Sequence, residues 1–192
     1  MIKKINAEVA ACVRCGLGMQ RAHVVPGDGA LDAEIMFVGE APGRQEDLRG
    51  LPFVGAAGKL LDELLRDVGF SREKVYITNL VKCRPPENRD PTQEEITTCS
   101  GLYLNRQVQV IRPKLLVMLG RHSAAYVLSK AGIEEGSITR IHGKVYEIDS
   151  FGVPVVAIPM FHPAAALYNL KYKDLLEEDF KVLKSELEKY DS

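Results

Sequence analysis

The sequence predicts an α/β fold, in which short buried strands alternate with amphipathic helices around one sheet. An apolar run at 35–38 leads into a loop rich in glycine and proline, and an amphipathic run follows at 59–68. Two further apolar runs, at 75–81 and 115–119, are likewise followed by a polar loop and then by a helical pattern. With 192 residues, 46% of them hydrophobic, the chain can bury one sizeable core. We therefore predict a single domain over residues 1–192.

Charge and composition narrow the class of protein. The 25 basic and 26 acidic residues give a net charge of -1, so a global basic field does not indicate nucleic acid binding, although a local basic face could provide it. The amino-terminal apolar run is interrupted by Asn6 and Glu8, which argues against a signal peptide, and no window is long and apolar enough for a membrane span. We therefore expect a cytoplasmic protein with no membrane partner, whose four cysteines bind metal or stay reduced.

The cysteines are placed as one pair and two single residues. A helix is predicted over 2–14 because apolar side chains recur on one face, and Cys12 and Cys15 form a C-x-x-C pair at its end. Cys83 follows the second strand, and Cys99 lies in the next predicted helix. Thiolates at this spacing can bind zinc or an iron–sulfur cluster, and the spacing does not separate the two. Inert buried cysteines and redox exchange are the alternatives, and redox exchange is disfavoured because the pair follows a helix rather than a strand.

The loop at 39–55, GEAPGRQEDLRGLPFVG, is the centre of the predicted site. It lies where a strand ends and a helix begins, which is where open α/β sheets place their ligand sites. Pro42 and Gly43 predict a tight turn there. A surface connection, with its aromatic residue folded onto the core, is the alternative to a binding loop. The loop collects three carboxylates and one aromatic ring, namely Glu40, Glu46, Asp47 and Phe53.

Two further segments carry polar residues near the ends of strands. Asn79 interrupts the apolar strand at 75–81, and a buried amide there either reads the edge of a ligand or satisfies a turn. The loop at 82–91, KCRPPENRDP, is stiffened by prolines, so its cations either contact phosphate or stay solvated. Those cations are Lys82, Arg84 and Arg89.

The second half of the chain continues the alternating pattern and adds a histidine. His162, in the motif FHP, follows the apolar run at 153–158 on a stiff loop, which is the rigid placement that a catalytic hydrogen-bond donor needs. His122 is predicted to be a polar residue at a helix start, and His23 and His142 have no partner that the sequence identifies. The remaining predicted elements are a helix from a capping box at Thr92 and Glu95 to about Ile111, a helix at 123–130, a hairpin of 144–148 with 153–158, and a structural helix at 172–190.

Taken together, these motifs resemble the family 4 uracil-DNA glycosylases, the iron–sulfur type of archaea and thermophilic bacteria. The resemblance covers nearly the whole chain in the right order, and it rests on GEAPGRQED at 39–47, PFVG at 52–55, the strand that ends in Asn79, VKCRPPENRDPT at 81–92, FHP at 161–163 and the four cysteines. It implies a three-layer α/β/α fold with a central sheet of four parallel strands, in a monomeric protein. It also implies a structural [4Fe-4S] cluster on Cys12, Cys15, Cys83 and Cys99.

The activity that the resemblance implies is that of a monofunctional DNA glycosylase. Such an enzyme flips uracil out of DNA and hydrolyses its N-glycosidic bond at the start of base excision repair, without a Schiff-base strand cut. The resemblance implies that Phe53 stacks on the uracil ring and that Asn79 pairs with its N3 and O4 edge. It also implies that His162 donates to O2 and stabilises the leaving anion, with backbone amides near Ala41 assisting.

The resemblance also assigns residues around the base and along the DNA. It implies that Glu46 lies in the loop that refuses the methyl group of thymine, and that Glu40 orients the attacking water or stabilises the sugar cation. Arg84 and Arg89 are expected to contact uracil-containing DNA, which is the expected partner. Leu167 is the expected wedge that fills the vacated stack, although the segment around it departs from the leucine-bearing loop of the family.

A non-catalytic iron–sulfur or zinc module that binds nucleic acid through the loop at 82–91 is the main alternative. It accounts for the cysteines and the cations but leaves Phe53, Asn79 and His162 without roles. An electron-transfer protein is a second alternative, in which a cluster tied into a DNA-facing loop has no evident purpose. We therefore expect a uracil-DNA glycosylase.

Overall fold

The computed structural model describes residues 1–134 and 136–190, and one mixed sheet of six strands lies at its centre. The strands are β1 (Asp28–Gly29), β2 (Ile35–Gly39), β3 (Tyr76–Asn79), β4 (Leu115–Leu119), β5 (Tyr146–Ile148) and β6 (Val155–Met160). Their spatial order is β1-β3-β2-β4-β6-β5, in which β3, β2, β4 and β6 are parallel while β1 and β5 pair antiparallel at the two edges. The expected sheet of four parallel strands was therefore too small, because it is only the centre of this sheet. Residues 135, 191 and 192 of the predicted single domain lie outside the described residues.

Helices cover both faces of the sheet, which gives the predicted three layers. One face packs against α3, α8 and α9, and the other packs mainly against α1, α4, α5 and α6. A turn of π-helix, Ser100–Leu104, joins α4 to α5, and short 3-10 turns lie at Gly16–Met19, Arg72–Lys74 and Pro86–Asn88. The helices are α1 (Ile2–Ala10), α2 (Arg44–Arg49), α3 (Ala56–Asp67), α4 (Gln93–Cys99), α5 (Asn105–Ile111), α6 (Arg121–Lys130), α7 (Ile138–Ile141), α8 (Pro163–Ala166) and α9 (Leu170–Glu188).

Strand β2 shows why the inner strands have continuous apolar sequences. Ile35 and Phe37 belong to the core on the α3 and α9 face, whereas Met36 and Val38 belong to the core on the opposite face. Successive side chains of a strand point to opposite faces, so a strand that is covered on both sides is apolar at every position. The Phe37 ring stacks on Phe180 of α9, with ring centroids 6.0 Å apart.

Most predicted elements are present, and their boundaries differ where capping groups determine the ends. The capping box is confirmed, because Thr92 Oγ1 accepts from the Glu95 N–H at 3.2 Å and the Glu95 carboxylate accepts from the Thr92 N–H at 2.7 Å. The hairpin of β5 and β6 is also confirmed. Helix α1 ends at Ala10, so the C-x-x-C pair lies beyond it, and α9 begins at Leu170 because the Asn169 side chain caps it. Within the described residues, none of the helices is long and apolar enough to cross a membrane.

The chain reverses its direction of winding between β2 and β4, since β3 lies on one side of β2 and β4 on the other. In open α/β sheets, ligands bind outside the carboxyl ends of the strands at such a point. Glu40 directly follows β2, Asn79 ends β3 and His162 lies two residues after β6. Strand topology thus brings residues far apart in sequence to one edge of the sheet.

Phe53 has a backbone conformation that is rare for a residue with a side chain. Its φ is 50°, in the left-handed region, which costs such a residue about 1–2 kcal/mol relative to the right-handed region. The first turn of α3 packs directly against it, because a Cβ at Gly58 would lie 1.8 Å from the Phe53 carbonyl oxygen. A side chain at residue 58 is therefore incompatible with the observed position of Phe53.

We predict that Gly58→Ala lowers the free energy of unfolding by about 1–3 kcal/mol, because a backbone carbonyl must move to admit the methyl group. Alanine would otherwise stabilise a helix by about 1 kcal/mol relative to glycine. Gly101→Ala is the matched control, since a Cβ there meets no heavy atom within 4 Å, and we expect it to leave stability unchanged or raised. Urea unfolding measures both variants. Equal effects of the two substitutions would contradict the close contact at Gly58.

Candidate active site

A pocket of about 420 Å³ opens at the carboxyl edge of the sheet. Its volume is within the range of about 300–1,000 Å³ that is typical of small-molecule sites. Its lining includes every residue that was predicted to contact the base or to take part in cleavage of its N-glycosidic bond: Glu40, Ala41, Glu46, Phe53, Asn79 and His162.

Gly39, at the end of β2, allows two of these side chains to approach each other. A Cβ at Gly39 would lie 2.4 Å from Asn79 Oδ1 and 2.8 Å from the Phe53 ring. The Phe53 ring in turn stacks on the His162 imidazole, with centroids 5.4 Å apart and planes at 25°. The pocket therefore presents an aromatic face, an amide edge and an imidazole within one small volume.

The Asn79 side chain is buried and only partly satisfied. The residue is 1% exposed, and its Oδ1 has no hydrogen-bond partner within the protein. A buried oxygen of this kind costs stability unless a ligand supplies a donor. Asn79 therefore has the geometry of a ligand-reading group rather than that of a satisfied turn residue.

His162 is held as a neutral imidazole with a defined tautomer. The Ala164 N–H donates to His162 Nδ1 at 3.1 Å, so this nitrogen is an acceptor and the ring proton lies on Nε2. Burial lowers the pKa of His162 to about 4. At neutral pH the side chain is thus an uncharged donor through Nε2.

The three carboxylates of the loop at 39–55 have different surroundings. Glu46 lines the pocket and its Oε1 accepts from the Val54 and Gly55 N–H groups, both at 2.9 Å, at the start of α3. Asp47 is buried and does not line the pocket, and its Oδ1 accepts from the Ala22 N–H at 3.0 Å. Asp47 therefore connects α2 to the segment that contains Ala22, whereas Glu46 orders the wall of the pocket.

Glu40 lies beside a histidine and a second carboxylate. Its Oε2 is 3.7 Å from His122 Nε2, and Asp90 Oδ2 is 3.5 Å from the same nitrogen. Burial raises the pKa of Glu40, and the charge of His122 opposes that rise. His122 lies in the first turn of α6 as predicted, but its nearness to Glu40 was missed. The signal was present in the sequence, because GRHS follows β4 as GEAP follows β2, and the two strands are neighbours.

Lys82 does not belong to the basic loop that the sequence predicts. It is buried, and its Nζ donates to Thr78 Oγ1 at 2.6 Å, to the Asn79 carbonyl at 2.7 Å and to Gln107 Oε1 at 2.8 Å. Burial lowers its pKa to about 7. Neither alternative that the sequence left open, phosphate contact or a solvated charge, holds for Lys82, because the side chain turns inward and supports the end of β3.

The two arginines of this loop remain near the surface. Arg89 lines the pocket and forms a bidentate pair with Glu95, with N–O distances of 2.9 and 2.7 Å. Arg84 Nε donates to Asn88 Oδ1 at 2.7 Å. Both guanidinium groups are thus oriented by neighbouring side chains.

The four cysteines line one cavity on the other side of Lys82 and form no disulfide. Arg21, which the sequence did not single out, donates through Nη1 to Cys83 Sγ at 3.1 Å and to the Cys12 carbonyl at 3.0 Å. Burial raises the pKa of the Cys99 thiol to about 11. Cations such as Arg21 and Lys82 in the same wall favour the thiolate form that metal ligation requires.

An exposed apolar segment follows the pocket residue Ala164 in the chain. Leu167 is 41% exposed and Tyr168 is 91% exposed, in the connection between α8 and α9. Both side chains are therefore accessible at the surface, Tyr168 more than Leu167.

Comparison with known proteins identifies the family. The sequence model of the Uracil DNA glycosylase superfamily matches residues 26–184. The chain is 52% identical over 184 residues to a type-4 uracil-DNA glycosylase of Sulfurisphaera tokodaii, covering 95% of this chain and 83% of the relative. It is 52% identical over 177 residues to that of Archaeoglobus fulgidus (92% and 88%) and 42% identical over 191 residues to that of Thermotoga maritima (98% and 96%). The resemblance that the ordered motifs indicated is confirmed, and the chain belongs to the uracil DNA glycosylase superfamily, within its type-4 group.

Proposed function

We propose that this protein is a monofunctional uracil-DNA glycosylase, which flips uracil out of DNA and hydrolyses the N-glycosidic bond to start base excision repair. The observation that carries this proposal is the convergence of Phe53, Asn79 and His162 on one pocket. An aromatic face, a buried amide with an open acceptor and a neutral donor together match a planar, uncharged base.

Base selection follows from the Asn79 amide. Its Oδ1 accepts from the N3–H of uracil and its amino group donates to O4. Cytosine presents an acceptor at N3 and a donor at N4, so both hydrogen bonds are mismatched and the buried groups stay unpaired. Phe53 supplies the stacking face, which is the same for every base and therefore adds affinity without selection.

Bond cleavage leaves negative charge on uracil and positive charge on the sugar. His162 donates from Nε2 to uracil O2, and its Nδ1 stays occupied by the Ala164 N–H throughout. A fixed neutral donor in a buried site stabilises the developing anion without a proton transfer. We assign the role of second donor to the backbone N–H of Ala41, which lines the same pocket.

Glu40 serves the sugar side of the reaction. Its carboxylate orients the attacking water or stabilises the cationic sugar, and both roles require the ionised form. The lysine that lies within the family motifs, Lys82, is buried against the Asn79 backbone and does not line the pocket. This arrangement supports hydrolysis without a Schiff-base strand cut.

Contacts with DNA are assigned to the rim of the pocket. Arg84 and Arg89 contact the phosphates that flank the flipped nucleotide, and Leu167 fills the space that the base leaves in the stack. A monomer acting on uracil-containing DNA is sufficient for these roles.

The proposal is tested by uracil release from a labelled oligonucleotide, with alkali treatment afterwards and matched thymine and hypoxanthine substrates. We expect alkali-dependent cleavage at uracil, and we expect Asn79→Asp to lower the single-turnover rate at least about 100-fold because the donor to O4 is lost. Asn169→Asp is the matched control, since aspartate caps α9 equally well. Full binding of DNA by wild-type protein with no cleavage of any substrate would favour the non-catalytic module instead.

The dependence of the single-turnover rate on pH tests the roles of Glu40 and His162. Burial raises the pKa of Glu40 above the ordinary value of a glutamate, so its ionised form is lost as the pH falls through that raised value, and the rate falls with it. His162 is mostly neutral at pH values above its own pKa of about 4, so the part of the acid limb above that pH reports on Glu40. We expect Glu40→Gln to lower the rate about 100-fold and to abolish that part of the acid limb, whereas Glu73→Gln on the surface keeps it. An unchanged acid limb in Glu40→Gln would rule out this assignment.

We further propose that Cys12, Cys15, Cys83 and Cys99 hold a [4Fe-4S] cluster, which would supply structural cross-linking of the segment after α1, the loop at 82–91 and α4. All four cysteines line one cavity, so their thiolates can be ligands of a single shared centre. The choice of an iron–sulfur cluster over zinc rests on the resemblance to the family 4 enzymes, because cysteine spacing suits both metals.

Metal analysis of purified protein checks this cofactor. We expect iron and sulfide with brown colour in the wild type, and we expect Cys99→Ser to lose most of the iron and to unfold at lower temperature. Thr98→Ala is the control, because Thr98 lines the same cavity without a thiolate. A colourless protein with one zinc per chain would exclude the cluster and leave the excision activity intact.

A further inference from the structure

The position of the Phe53 ring depends on a backbone conformation that needs support. Phe53 has a φ of 50°, and in that conformation its ring reaches the pocket, where it stacks on His162 and lies close to Gly39. Phenylalanine does not adopt this region without compensating contacts. The compensating contacts lie outside the pocket.

Arg72 supplies those contacts from the 3-10 turn between α3 and β3. Its Nη1 donates to the Phe53 carbonyl oxygen at 3.0 Å, and its Nη2 donates to the Pro52 carbonyl oxygen. The same Nη1 is 3.1 Å from Asp62 Oδ1 on α3, which orients the guanidinium. One planar group thus fixes two successive carbonyls at the strained residue.

The guanidinium is suited to this task in a way that other cations are not. Its donors form a rigid fork, so two adjacent oxygens are bound at once, whereas the ammonium of lysine is a single point on a flexible stem. The Arg72 side chain is 21% exposed, so its hydrogen bonds are partly shielded from water. Arg72 does not line the pocket and therefore acts on a ligand only through Phe53.

We propose that Arg72 is a positioning residue for catalysis, which holds Phe53 in the left-handed conformation so that its ring stacks on the flipped base. The proposal rests on the uracil-excising function proposed above. Gly58 bounds the Phe53 carbonyl on the α3 side and Arg72 binds the same carbonyl. Without the arginine, the turn relaxes to a common conformation, and the ring leaves its place beside His162.

A double-mutant cycle tests this coupling. We expect Arg72→Met to lower the single-turnover rate of uracil release about 10- to 100-fold, because a misplacement of about 1 Å at a reacting group has an effect of this size. Phe53→Gly removes both the ring and the strain. In that background we expect Arg72→Met to change the rate less than about threefold, since the arginine then has no ring to position.

Two further variants separate this role from general effects. Arg66→Met removes an exposed cation from α3, so it reports any loss of DNA attraction, and we expect it to leave the rate unchanged. Arg72→Lys keeps the charge but not the fork, and we expect it to behave like Arg72→Met. If Arg72 has only a structural role, Arg72→Met would lower the unfolding temperature and would reduce the rate by the same factor with Phe53 and with Phe53→Gly. Such an additive result would overturn the proposal.

A crystal structure of the Arg72→Met protein decides the matter even if Phe53→Gly retains no measurable rate. We expect Phe53 to leave the left-handed region in this variant and its ring to move away from His162. An unchanged backbone conformation and ring position of Phe53 would overturn the proposal. The wild-type assay keeps the two proposals distinct. Failure of wild-type protein to release uracil would refute the proposed function, whereas the conformation of Phe53 in the variant still reports on Arg72.

Discussion

The close packing at the end of β2 determines the shape of the pocket. Gly39 leaves a volume that Asn79 Oδ1 and the Phe53 ring occupy together, since a single methyl group there would overlap both. The left-handed turn at Phe53 and the stacking on His162 follow from this arrangement, because the ring has to enter the volume from the loop side. The absence of one side chain therefore allows the Phe53 ring and the Asn79 amide to lie close together. A ligand that donates to Asn79 Oδ1 would offset the cost of that unsatisfied oxygen, whereas the strain at Phe53 is opposed by contacts within the protein.

A single buried lysine connects this pocket to the cysteine cavity. Lys82 Nζ is bonded to the Asn79 carbonyl on one side, and the same side chain lines the cavity that contains Cys83 and Cys99. A buried ammonium is tolerated only when its donors are satisfied, and here three oxygens, including that of Gln107, satisfy them. Loss of the proposed metal centre would disturb the residues around Lys82 first, and through them the strand end that carries Asn79. A structural centre of this kind would support the proposed recognition of the base without touching it.

The pocket residues could be predicted from sequence because their signals are local. Glycine, proline and apolar runs mark where strands end, and they placed Asn79 and His162 each at the carboxyl end of a strand. The resemblance to the family 4 enzymes then implied that the two residues share one pocket. The direction in which a side chain points, by contrast, is not determined by the neighbouring sequence alone. Lys82 lies between an apolar strand and Arg84, yet it turns inward because Gln107, 25 residues away, accepts from it. The edge strand β1 has only two residues, which are too few to show a period of two. Arg72 has no motif at all, since its role depends on two carbonyl groups 19 and 20 residues away.

Electrostatics explain how a pocket that contains carboxylates can belong to a protein that acts on a polyanion. Glu40, Glu46 and Arg89 line the pocket. Arg84 lies in the same loop as Arg89. Uracil is neutral, so it enters the acidic interior at little electrostatic cost, whereas a phosphate is repelled from it and attracted to the rim. In the proposed reaction the same charges would oppose formation of a uracil anion inside the pocket, and a fixed donor deep in the pocket counters this effect. His162 meets that need in its neutral form, because a cationic imidazole so close to Glu46 would pair with the carboxylate instead of with the base.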